Sequence, residues 1–236
     1  MDDADLDLAL DAVLWGAFGT TGQRCTATSR LILHEKIHDE FMKMLIARTE
    51  KLRLGDGLLE TSEVGPCVSE GQRNSVQEYV AIGKNEGASL VCGGEFAKGN
   101  GVDSGWFHQP TIFTNVTRTM RIAKEEIFGP VLSLLKIKTI DEAISVLNDT
   151  IYGLSSSVFT KDINNSFKAM RDIKAGIVYI NAPTIGAEAH MPFGGVKQTG
   201  NGHREGGWTV YDFFSEWKTI YVDYSGKLQR AQIDNE

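Results

Sequence analysis

The 236-residue sequence has no long apolar run, no paired cysteines and no excess of positive charge, and each absence removes a class of protein. No stretch stays apolar for the roughly 20 residues a membrane-spanning helix needs, and no basic-then-apolar leader opens the chain. Neither an anchor nor a signal peptide is therefore expected. Lysine and arginine total 24 against 31 aspartates and glutamates, a formal net charge of −7. With no basic stripe, a nucleic-acid partner is not expected. The three cysteines, Cys25, Cys67 and Cys92, are odd in number and widely spaced, without a CxxC pair. That spacing argues against a disulfide framework and against a metal site, and a reducing cytoplasm fits best. The Asn-x-Ser/Thr triplets at Asn115, Asn148 and Asn164 are then chance. There is no GxGxxG fingerprint, no internal repeat and no low-complexity segment.

What is present is a chain with 42% apolar residues, enough for one good core. Asp3 to Phe18 reads as a helix, with acids at its start where the macrodipole favours them. Thr28 to Leu33 is strand-like. Ile37, Phe41, Met44, Leu45 and Leu52 mark a second helix that Gly55 ends, and Glu70 to Glu86 a third, stopped at Gly87. Ala88 to Cys92 is a short strand, 96–105 a glycine-rich loop, and Trp106 to Phe113 an extended segment that Pro110 makes irregular. Val131 to Ile137, with leucines on both parities, suits a strand covered on both faces. Helix Asp141–Asn148, strand Ser155–Thr160, helix Ile163–Ile173 and strand Gly176–Asn181 then alternate. Such alternation implies right-handed crossovers and a three-layer α/β/α domain with a mainly parallel sheet.

The stretch from Phe18 to Arg30 places Cys25 at the junction of the first helix and the first strand, where Gly22 can supply the turn. A cation such as Arg24 beside a thiol favours the thiolate, the form that attacks a carbonyl carbon. Most lone cysteines, however, are small buried hydrophobes. Glu126 and Phe128 precede a Gly-Pro turn; taken alone they are a solvated acid and a core aromatic. His190 and His203 sit in no local cysteine-hydrolase signature.

Three segments in order give these residues a context: Gly22-Gln23-Arg24-Cys25 with Ala27 and Arg30, then Glu125 to Val131, then Pro192 to Lys197 running into Gly200-Asn201-Gly202. Together they resemble the NAD(P)-dependent aldehyde dehydrogenase superfamily, over nearly the whole chain. The resemblance implies that residues 1–216 belong to the catalytic domain and that 217–236 form an oligomerisation strand and tail. It implies that Cys25 is the nucleophile, passing through a thiohemiacetal and a thioester. It also implies that Glu126 and Phe128 meet the nicotinamide ribose of NAD or NADP, and that Thr184, Ile185, Gly186, Ala187, Glu188 and Phe193 border the aldehyde. The wording around 181–188 and 202–206 is most similar to bacterial members acting on short semialdehydes with a distal carboxylate, ketoglutarate semialdehyde foremost.

One departure qualifies this. The family's general-base glutamate, its oxyanion asparagine and its Rossmann domain all precede the segment where Met1-Asp2-Asp3 begins. The expectation is that this polypeptide alone binds no cofactor and is not a competent dehydrogenase. Two other readings stay open: a cofactor-independent thiol esterase using Cys25, and a non-catalytic partner of a separate N-terminal half. The alternating stretch Trp217 to Asp223 is expected to be a strand that recruits a second copy, giving a homo-oligomer.

Overall fold

The computed structural model describes residues 1–99 and 101–228. Residues 229–236 of the expected polar tail, and Asn100 of the expected loop, lie outside the described residues.

The first helix, α1 (Leu6–Phe18), begins three residues later than its periodicity suggests. Asp5 is its cap, accepting from the Leu8 N–H at 3.1 Å. Asp2 and Asp3 do not act on the helix dipole but are committed to distant segments. Strand β1 (Arg30–His34) and a 3-10 turn lead into α2 (His38–Thr49), which ends well before Gly55. Then come α3 (Glu70–Asn85), capped by the Ser69 hydroxyl, β2 (Ser89–Cys92) and β3 (Thr111–Thr114). A one-turn helix α4 (Arg121–Lys124), which periodicity does not reveal, precedes β4 (Val131–Ile137). The alternation α5 (Ile140–Asn148), β5 (Ser155–Val158), α6 (Ile163–Asp172) and β6 (Ile177–Ile180) follows, with α7 (Val210–Phe214) last.

The sheet is mainly parallel: β1–β4, β3–β4 and β5–β6 pair in parallel and only β2–β3 is antiparallel. It is not, however, a single sheet. β1-β4-β3-β2 form one and β5-β6 another. The two-faced pattern of β4 has its expected consequence. Leu132 and Leu134 pack with α1 and α2 through Leu10, Phe18, Phe41 and Leu45. Val131, Leu135 and Ile137 pack on the opposite face with Val76, Val80 and Ile122 from α3 and α4. A smaller cluster joins Ile144 of α5 to Ala169 of α6 and to β6. These are the helical layers of the α/β/α arrangement.

Residues 217–223 form no strand. A strand is defined by its neighbour's hydrogen bonds, and this segment meets none among the described residues; Trp217 and Tyr221 are 88% and 93% exposed.

Candidate active site

The turn after α1 aims Cys25 outward. Thr21 and Gly22 both adopt left-handed backbone (φ 57° and 64°), and the Gln23 N–H closes the turn on the Thr20 carbonyl at 3.0 Å. A glycine is required at position 22: a Cβ there would come within 2.0 Å of the Gly129 carbonyl oxygen. That close approach sets the cysteine turn against the turn carrying Phe128. Gln23 clamps the other side, donating to the Pro66 carbonyl at 3.2 Å and accepting from the Val68 N–H at 2.9 Å. Cys25 itself is exposed, and its N–H finds no acceptor among the described residues. Arg24 lies over the Trp15 ring, 5.8 Å from its centroid, rather than standing free beside the thiol. The other cysteines differ: burial pushes the Cys67 and Cys92 thiols above their ordinary range.

Cys25, Glu126, Phe128 and Thr184 all line one cavity of about 480 Å³. Glu126 is exposed and makes no hydrogen bond or ion pair among the described residues, whereas its neighbour Glu125 is fully engaged. Arg121 and the Tyr79 hydroxyl hold the Glu125 carboxyl below its usual range. Phe128 is 40% exposed with φ 54°, a conformation uncommon for a bulky residue. Gln72 on α3 fixes it there, its amide donating to the Ile127 and Phe128 carbonyls at 3.0 and 2.9 Å.

Thr184 alone of the expected aldehyde-loop residues reaches this cavity. Its hydroxyl donates to the Thr26 carbonyl at 2.8 Å, and since that uses its one proton, the Thr28 hydroxyl is the donor across the 2.8 Å contact between them. Ile185 is buried, and Gly186, Ala187 and Glu188 are exposed to solvent away from the lining. Phe193 pairs by backbone with Glu205 instead. No histidine lines the cavity among the described residues, so a Cys–His hydrolase arrangement is not assembled. No group of three or more His, Cys, Asp or Glu side chains is placed to hold a metal ion among them either. Gln72 and Thr28 carry no motif, and Gln23 stands in one that does not reveal its clamping role; only their partners, far away in sequence, make them part of the site.

This geometry, a solvent-facing cysteine turn packed on a Glu-x-Phe-Gly turn, has clear relatives. The profile of the "Aldehyde dehydrogenase family" matches residues 1–220, and the chain belongs to that family. It is 46% identical over 221 residues to the alpha-ketoglutaric semialdehyde dehydrogenase of Bacillus subtilis, a match covering 94% of this chain and 45% of the relative. It is 45% identical over 222 residues to a betaine aldehyde dehydrogenase of Brucella anthropi, with the same coverage. Among solved structures, an NAD-dependent aldehyde dehydrogenase from Sinorhizobium meliloti superposes with a TM-score of 0.91 at 38% identity, over 97% of this chain and 44% of that one. Betaine aldehyde dehydrogenase from Staphylococcus aureus in complex with NAD+ gives 0.87 at 39%, over 90% and 42%. The chain thus spans about half the length of the relatives it matches.

Proposed function

We propose that this chain is the catalytic-domain portion of an aldehyde dehydrogenase, oxidising an aldehyde with NAD or NADP to the carboxylic acid. The observation that carries this reading is the opening of exposed Cys25 onto the same cavity as the unpaired carboxylate of Glu126. The thiolate of Cys25 adds to the aldehyde carbon, leaving a tetrahedral oxyanion on the former carbonyl oxygen. The unengaged N–H of Cys25 can donate to that oxygen. Thr184 and Thr28 hold the chain on the far side of Cys25 so that the sulfur keeps its aim.

The residues present suit the nicotinamide-ribose end of a dinucleotide. An ionised carboxylate accepts two hydrogen bonds and donates none, matching a ribose diol, and Glu126 is uncommitted. Glu126 and Phe128 would hold that end; when bound, the dinucleotide supplies a hydride acceptor. Glu125 cannot serve as a mobile base because Arg121 and Tyr79 hold it. With Glu126 given to the ribose, no other uncommitted carboxylate and no histidine lines the cavity among the described residues, which supports inactivity of the chain alone.

For the substrate we favour a short semialdehyde bearing a distal carboxylate, supported by the wording around 181–188 and by the Bacillus subtilis relative, against the betaine aldehyde of the other relatives. Ketoglutarate semialdehyde is anionic and betaine aldehyde cationic, so the two discriminate sharply. A reducing compartment such as the cytoplasm suits three free thiols. Residues 1–216 form the catalytic unit of this reading, with the C-terminal segment mediating homo-oligomerisation.

The test is formation of NADH or NADPH with either aldehyde. The chain alone is expected to give none; co-expressed with the unmatched portion of the Bacillus subtilis relative, it is expected to oxidise ketoglutarate semialdehyde in preference. Cys25→Ala in that complex is expected to remove the activity. Normal dehydrogenase turnover by the chain alone, or activity retained by Cys25→Ala, would overturn the proposal.

A further inference from the structure

The cysteine turn is gripped from outside by a strap that belongs to no helix or strand, residues 65–68. Three bonds join the two. The Thr21 hydroxyl donates to the Gly65 carbonyl at 3.0 Å, and the Gln23 amide donates to the Pro66 carbonyl at 3.2 Å and accepts from the Val68 N–H at 2.9 Å. The strap runs directly into α3, where Gln72 fixes the Phe128 turn. Both turns of the site therefore depend on where these few residues lie.

The strap is anchored in its turn. The Cys67 N–H donates to the Trp106 carbonyl at 2.9 Å, and the Cys67 side chain is buried. Just past Trp106 a short antiparallel pairing sets Phe96 against His108, flanked by bonds from the Ala97 N–H to the Phe107 carbonyl and from the Gln109 N–H to the Glu95 carbonyl. The Trp106 ring is 40% exposed, too open for core packing to fix it.

Arg73, the residue after Gln72, supplies what packing does not. Its guanidinium carbon lies 4.0 Å from the centroid of the Phe96 ring and 4.9 Å from that of Trp106. A cation is drawn to an aromatic face more strongly as it loses water, and the Arg73 side chain is only 16% exposed. Its polar contacts are poor. The exposed Glu70 carboxylate stands 3.7 Å away, and the buried Nε has no hydrogen-bond partner among the described residues. A guanidinium withdrawn from water without new hydrogen bonds owes its place to the rings. Fully buried His108 backs Phe96 edge-on, 6.1 Å between centroids, so Phe96 is the fixed ring and Trp106 the one that Arg73 secures.

We infer that Arg73 is a positioning residue for Cys25: by tying Trp106 to Phe96 it sets the 65–68 strap, and through Thr21 and Gln23 the turn from which the sulfur points outward. Its use to the reaction rests on Cys25 being the nucleophile, as proposed; its hold on the turn does not.

Hydrogen exchange in the chain itself tests this, because it reads the turn whether or not Cys25 attacks an aldehyde. The amides to follow are those of Gln23 and Ala27, which close the turn on the Thr20 and Arg24 carbonyls, and those of Cys67 and Val68 in the strap. Arg73→Gln keeps a planar polar end without the cation, and is expected to speed exchange at all four by about tenfold while the core amides of Leu132 and Leu134 in β4 stay as they were. Arg73→Lys keeps a cation against the rings and is expected to stay within about threefold of the parent chain, a rescue that a role in filling space alone would not give. Trp106→Leu keeps the carbonyl that Cys67 uses, removes the ring, and is expected to match Arg73→Gln. Unchanged exchange at the four amides in Arg73→Gln and Trp106→Leu, equal loosening by Arg73→Lys and Arg73→Gln, or loosening that spreads to β4 would overturn the inference. None of these results bears on the nucleophile, which Cys25→Ala reads separately.

Discussion

Gly22 and Cys25 are three residues apart and fail in different ways when replaced. A side chain at 22 would need both a left-handed backbone and the 2.0 Å approach to the Gly129 carbonyl. Gly22→Ala is expected to lower stability by about 1–3 kcal/mol, read by thermal unfolding, and to part the cysteine turn from the Phe128 turn. The thiols separate by exposure. At neutral pH iodoacetamide is expected to label Cys25 alone in the native chain, and Cys67 and Cys92 only after unfolding, as peptide mass spectrometry would read. Cys25 stood out in the sequence because glycine and hydroxyl residues flank it at a helix–strand junction. Thr184 was legible as a loop residue, but its bond to Thr26 spans 158 positions, a pairing no local pattern encodes. Which way Gly186, Ala187 and Glu188 face was likewise not legible, because an irregular loop carries no periodicity to say so; they stand outside the lining of the Cys25 cavity.

Elements with a strong period were legible and their pairings were not. β4 announced itself by apolar residues on both parities, and α5 and α6 by helical spacing. The break between β1 and β5 lay beyond reach, since a strand's sequence does not name its neighbour. Asp2 and Asp3 were misassigned to the helix dipole for a related reason: acids ahead of a helix look alike whether they cap it or reach elsewhere. Asp3 accepts from the Thr160 hydroxyl and from the Lys161 and Asp162 N–H groups, each at 2.8–2.9 Å. Partial burial raises its pKa, and these donors outweigh that and hold it below the ordinary 3.8. Because the folded value is the depressed one, the stabilisation is complete above that ordinary value and is lost as pH falls through the lower folded one. Asp3→Asn is expected to cost roughly 1–2 kcal/mol at neutral pH, discounted for solvent access, and to flatten the acid limb of a stability-versus-pH curve.

At the level of the molecule, apolar surface is concentrated near the C-terminal end of the described residues. Trp208, Tyr211, Phe214, Trp217, Ile220 and Tyr221 are all at least 70% exposed, far beyond the scattered apolar residues of an ordinary monomer surface. The chain is expected to run as a dimer or larger in size-exclusion chromatography with light scattering, and to shift towards monomer when it is ended at Phe214. A clean monomer at micromolar concentration would contradict this. The family was legible from three short segments because they form tight turns, such as those at Gly22 and Phe128, which tolerate few substitutes.

The bond from the Met1 nitrogen to Phe159 has a practical corollary. An affinity tag fused ahead of Met1 exchanges a buried ammonium for an amide that makes the same bond, but its bulk must then leave past the mouth between the two sheets. A chain so tagged should melt at a measurably lower temperature than the untagged chain.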